Sequence, residues 1–84
     1  MTKVVLIEDD ADTAQDICAE LRDSGYIVDW AEDGPTGLER ARAADADVLV
    51  IDRMLPGMDG LAVIDTLRRE KIRTPVLVLS ALGA

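Results

Sequence analysis

The sequence predicts an α/β domain built on a parallel sheet. Three observations predict it: continuous apolar runs of strand length, segments of helical period alternating with them, and reactive or metal-binding side chains ending three of the four runs. Val4-Val5-Leu6-Ile7 is an unbroken, β-branched run, as suits a strand covered on both faces, and it stops abruptly at Glu8-Asp9-Asp10. Ala14, Ile17, Cys18 and Leu21 then recur at helical spacing, which makes Cys18 a core residue. Asp12 or Thr13 is expected to cap this helix and Gly25 to stop it, with Asp10 capping or flanking it rather than ligating a metal directly. Tyr26 to Trp30 reads as a second strand, with Trp30 packing at the sheet margin. Asp33-Gly34-Pro35 turns the chain into a short helix through about Ala43, with Leu38 and Ala41 toward the sheet. Val48 to Ile51 is a third buried strand, ending in Asp52 and followed by the loop Arg53 to Gly60. A third helix, about Leu61 to Lys71, is expected to bury Ile64 and Leu67, and after Thr74-Pro75 the run Val76 to Leu79 makes a fourth strand ending at Ser80.

Composition narrows the function classes. With 84 residues the chain is one domain, near the size at which a single core only just supports a fold. Its net charge of -8 argues against direct nucleic-acid binding, and the absence of His removes His-based acid–base catalysis, Ser-His triads and His-containing zinc sites. Cys18 has no partner for a disulfide, no signal-peptide pattern follows Lys3, and no run approaches twenty apolar residues. A cytoplasmic protein without a membrane span is therefore expected.

Parallel strands joined by right-handed crossovers place their carboxyl ends on one edge of the sheet, where open α/β sheets bind ligands. Glu8 and Asp9 follow the first strand, Asp52 ends the third and Ser80 ends the fourth. If the first and third strands are neighbours, three carboxylates converge. Like charges so close raise one another's pKa unless a cation neutralises them, and hard oxygen ligands suit Mg²⁺. An anion would be repelled by Glu8-Asp9-Asp10, which argues against a flavin or nucleotide site. A carboxylate beside Mg²⁺ can attack a phosphoryl group, and Asp52 is the best placed to do so. Ser80 would offer its hydroxyl to a phosphoryl oxygen, and the main-chain carbonyl of Met54 could complete the metal sphere. Asp29 to Gly34 lacks the alternating ligands and closing Glu of a calcium loop.

Three segments as a spaced set resemble the receiver domain of bacterial two-component response regulators: Val5-Leu6-Ile7-Glu8-Asp9-Asp10, Val50-Ile51-Asp52 with Met54-Leu55-Pro56-Gly57-Met58-Asp59-Gly60, and Thr74-Pro75-Val76 leading to Ser80-Ala81. The resemblance covers the whole chain. It implies that Asp52 accepts a phosphoryl group from a sensor histidine kinase, that Glu8 and Asp9 hold Mg²⁺, and that Ser80 is the switch hydroxyl. It also implies a flavodoxin-like doubly wound sheet in the order 2-1-3-4, an order carried over from the family. The family continues with a Lys-led fifth strand and a fourth and fifth helix, so residues 1–84 correspond to the first two-thirds of such a domain. The segments Asp29 to Gly34 and Arg53 to Gly57 look most like receivers that precede a winged-helix DNA-binding domain, which implies a transcriptional regulator.

Two other functions compete with this non-enzymatic phosphoacceptor. A Mg²⁺-dependent phosphohydrolase would form the same aspartyl-phosphate, but such enzymes carry a second Asp two residues on as general acid, and position 54 is Met. Alternatively, an uncharged edge strand at Val76 to Leu79 would pair with another chain, giving a homodimer or segment-swapped oligomer.

Overall fold

The computed structural model describes residues 2–43, 46–52, 55 and 58–79. The chain runs β1 (Lys3–Ile7), α1 (Ala11–Asp23), β2 (Ile27–Ala31), α2 (Gly34–Ala43), β3 (Val48–Asp52), α3 (Gly60–Arg69) and β4 (Val76–Leu79). The strands form one parallel sheet in the order β2-β1-β3-β4, as the family resemblance implies. The connection from β1 to β2 runs one way along the sheet, and those from β2 to β3 and β3 to β4 run the other. Right-handed crossovers therefore put α1 on one face and α2 and α3 on the opposite one.

Alternation along β1 builds both cores. Val5 and Ile7 point into the layer of Leu38 and Ala41 from α2 and Val63 and Leu67 from α3. Val4 and Leu6 point the other way, onto Ala14 and Cys18 of α1, with Ile17 and Leu21 packed against them. This two-sided cover is why the run carries no polar alternation. Among the described residues β4 is the outermost strand on its side of the sheet, with Leu77 and Val78 exposed. Among the described residues no helix is long and apolar enough to cross a membrane.

Local expectations need four corrections. The cap of α1 is not Asp12 or Thr13, which lie inside the first turn, but Asp10, in keeping with the capping role expected for it: its carboxylate accepts the Thr13 amide at 2.9 Å. Strand β2 is shifted one residue on, because its pairing with β1 starts at Lys3 with Ile27, while the Tyr26 amide bonds back to the Leu21 carbonyl of α1. Helix α3 starts at Gly60, because the Asp59 carboxylate accepts the Leu61 amide at 2.8 Å, and it ends at Arg69 as Lys71 turns left-handed at φ 64°. Its buried stripe is Val63 and Leu67, with Ile64 only partly covered. Gly25, at φ 92°, stops α1 as expected, and Asp33 opens α2, which starts at Gly34, by accepting the Thr36 amide at 2.7 Å.

Candidate functional site

The order β2-β1-β3 makes the gap between β1 and β3 the point where the winding reverses, and ligands of open α/β sheets collect there at the strands' carboxyl ends. The parallel register ends with Ile7 opposite Ile51, so the next residues, Glu8 and Asp52, stand side by side. Both continue the alternating positions that face α1, namely Val4 and Leu6 in β1 and Val48 and Val50 in β3. Asp9 follows in the exposed turn to α1. One carboxylate oxygen from each of Glu8, Asp9 and Asp52 lies within 4.8 Å of the other two. The conditional convergence of the sequence argument is thus realised.

Glu8 is the one charged residue buried among those described, at 5% exposure. Its amide donates to the Ala31 carbonyl at 3.0 Å, its own carbonyl accepts the Trp30 indole N–H at 2.8 Å, and its carboxylate accepts the Asp10 amide at 3.1 Å. Burial pushes the Glu8 carboxyl up to about 7. The hydrogen bond from Asp10 opposes this, while the Asp52 charge and hydrogen bonds to the Asp9 and Asp52 carboxyls reinforce it. A proton near neutrality is one answer to three crowded carboxyl groups; a divalent cation is the other. The donor set fits a hard cation such as Mg²⁺: all oxygen, with Asp9 exposed and Asp52 partly so.

Asp10 is turned away from the cluster by its capping role, where the Thr13 hydroxyl and amide hold its carboxyl below the usual range. Met54 and Ser80, the expected carbonyl ligand and switch hydroxyl, lie outside the described residues. Trp30, expected from the sequence only to pack at the sheet margin, also bonds to Glu8. The signal was the parity of Val28 and Trp30, which sets the indole on the same face as Leu6 and Glu8.

The comparisons with known proteins agree with this geometry. The family model described as the response regulator receiver domain matches residues 4–84. The chain is 45% identical over 82 residues to the transcriptional activator protein PfeR of Pseudomonas aeruginosa, covering 98% of this chain and 27% of that protein. It therefore spans little more than a quarter of that relative's length. Among solved structures, a Francisella response regulator receiver domain superposes with a TM-score of 0.94 at 37% identity, over 100% of this chain and 69% of that one. The response regulator TrrA of Thermotoga maritima, solved in complex with Mg²⁺ and BeF, gives a TM-score of 0.92 at 27% identity over 96% of this chain and 70% of its own. TrrA has also been solved in complex with the histidine kinase ThkA.

Proposed function

The chain belongs to the response regulator receiver domain family, and on that membership we propose that it is a phosphorylatable signalling switch whose acceptor is Asp52. The observation that carries the reading is the meeting of Glu8, Asp9 and Asp52 at the point where the sheet's winding reverses. Asp52 would attack the phosphorus of a phosphohistidine on a sensor kinase. An O–P bond forms as the N–P bond breaks, and the imidazole leaves with the electron pair and takes a proton from water. Glu8, Asp9 and Asp52, with the main-chain carbonyl of Met54, would hold Mg²⁺. Bound there, the ion supplies positive charge that offsets the repulsion between phosphate and carboxylates. Ser80 would give its hydroxyl to a phosphoryl oxygen. The domain is then a switch rather than an enzyme, its two conformations weighted by the modification.

Support comes from TrrA, solved both with Mg²⁺ and BeF and with a histidine kinase, and from PfeR, a transcriptional activator. A cytoplasmic transcriptional regulator, with DNA contact outside this acidic domain, is the protein to which such a switch belongs. Met at position 54 counts against a phosphohydrolase.

The deciding experiment is intact mass after incubation with a small-molecule phosphodonor, with and without Mg²⁺, beside Asp52→Asn. A single Mg²⁺-dependent phosphoryl adduct that the substitution abolishes is the expected result. An adduct that survives Asp52→Asn would overturn the assignment of the acceptor.

A further inference from the structure

We propose that Trp30 is a positioning residue for the acidic pocket: its indole N–H anchors the main chain of Glu8 and so sets where the Glu8 and Asp9 carboxylates stand toward a divalent cation. The inference rests on reading the pocket as a Mg²⁺ site and adds to it a residue on a neighbouring strand.

Glu8 lies just past the end of the ladder. The pairing of β1 with β2 ends at Ile7 and Ala31, and that of β1 with β3 at Ile7 and Ile51. The Glu8 amide still finds a strand partner, the Ala31 carbonyl at 3.0 Å. For the Glu8 carbonyl the indole of Trp30 takes the role of the ladder, at 2.8 Å. Both main-chain polar groups of the buried acid are thus held by two consecutive residues of β2.

The next anchor is Asp10, whose amide donates to the Glu8 carboxylate and whose own carboxylate caps α1. Asp9 therefore sits between two fixed residues. Its carboxylate can meet those of Glu8 and Asp52 because the chain on either side of it is held. Reach explains the choice of side chain. Trp30 pairs with Leu6 in register, so a donor must extend along the strand direction by two residues, roughly 7 Å, to meet Glu8. An indole N–H at the far edge of a rigid ring does so, whereas Phe or Leu at this position would fill the same apolar layer and leave the carbonyl without that partner. Outer groups that orient metal ligands commonly act in this way.

The test compares the unmodified protein with Trp30→Phe and with protein in which the single tryptophan is replaced by benzothienylalanine, which keeps the ring shape and substitutes sulfur for N–H. Mg²⁺ affinity is measured by calorimetry, and amide hydrogen exchange is followed in the metal-free protein. Both changes are expected to weaken Mg²⁺ binding roughly five- to tenfold and to speed exchange at Glu8, Asp9 and Asp10 by a similar factor, with Val4 to Leu6 unaltered. Ile17→Val, a loss of packing on the same face, controls for stability and should leave affinity unchanged. Unchanged affinity and exchange in the benzothienylalanine protein would overturn the positioning role alone. Absence of Mg²⁺ binding by the unmodified protein would overturn the metal reading, and the positioning role toward a cation with it.

Discussion

Gly37 of α2 lies directly over Ile7 of β1: a Cβ at position 37 would stand 2.5 Å from Ile7 Cγ1 and 3.0 Å from Cγ2. Ile7 Cδ1 is closer still, and although that end could swing aside, Cγ1 and Cγ2 branch at Cβ of a completely buried side chain and move only with its χ1 or with the strand. Gly37→Ala gains up to about 1 kcal/mol of helix propensity. The overpacking it forces costs about 1–3 kcal/mol, so a net loss of stability is expected in urea denaturation. Because Ile7 is followed by Glu8, the displaced strand end should also lower Mg²⁺ affinity.

Two helices end in the same motif with different residues at its left-handed position. After α1, Gly25 donates to the Arg22 carbonyl at 2.9 Å and Tyr26 to Leu21 at 3.1 Å; after α3, Lys71 donates to Arg68 at 3.0 Å and Ile72 to Leu67 at 2.9 Å. This is the Schellman pattern, whose turning residue is usually Gly. Gly25→Ala should destabilise by about 1 kcal/mol. Lys71→Gly should do the reverse by about 0.5 kcal/mol, since relief of the left-handed strain is partly offset by a freer unfolded chain. Thermal melts of the two variants should therefore shift in opposite directions.

The cap of α1 can be assigned by substitution. Asp10→Ala removes the acceptor for the Thr13 amide and should lower the Tm of the metal-free protein by about 3–8 °C. Asp12→Ala removes only a favourable charge from the first turn and should move it by about 2 °C or less. Equal effects would contradict the capping geometry.

Legibility followed the range of the interactions concerned. Four strands and three helices could be read because two-sided burial writes itself as unbroken apolar runs such as Val4 to Ile7 and Val48 to Ile51. Strand order could not be read from the pattern: any parallel order buries such runs, and 2-1-3-4 came from the family resemblance. The meeting of Glu8 and Asp52 depended on that order. Asp10 was legible as a cap only beside Asp12 and Thr13, since all three are capping types within one turn. The tertiary contacts were silent. Gly37 is small because of Ile7 across the layer gap, and Trp30 bonds to a residue 22 positions away.

Protonation of Glu8 makes a last prediction, for the metal-free protein. Its carboxyl is raised from 4.5 to about 7, chiefly by burial. Between those values the folded state therefore binds a proton that the unfolded chain has lost, and the stability linked to Glu8 falls as pH rises. That contribution is complete below about 4.5 and gone above about 7. Asp10, Asp33 and Glu70 are lowered by hydrogen bonds from Thr13, Thr36 and Arg42, so their contributions are present above the ordinary carboxyl range and are lost below it. The two windows meet near pH 4.5 without overlapping, which leaves the neutral side to Glu8. Chemical denaturation across pH 4.5–7 should show declining stability in the unmodified protein and a flatter profile in Glu8→Gln. Mg²⁺ should reverse the slope, because the cation requires the deprotonated carboxylate and displaces its proton. Proton release on Mg²⁺ addition, measured in weakly buffered solution, should be largest on the acid side of pH 7 and absent in Glu8→Gln.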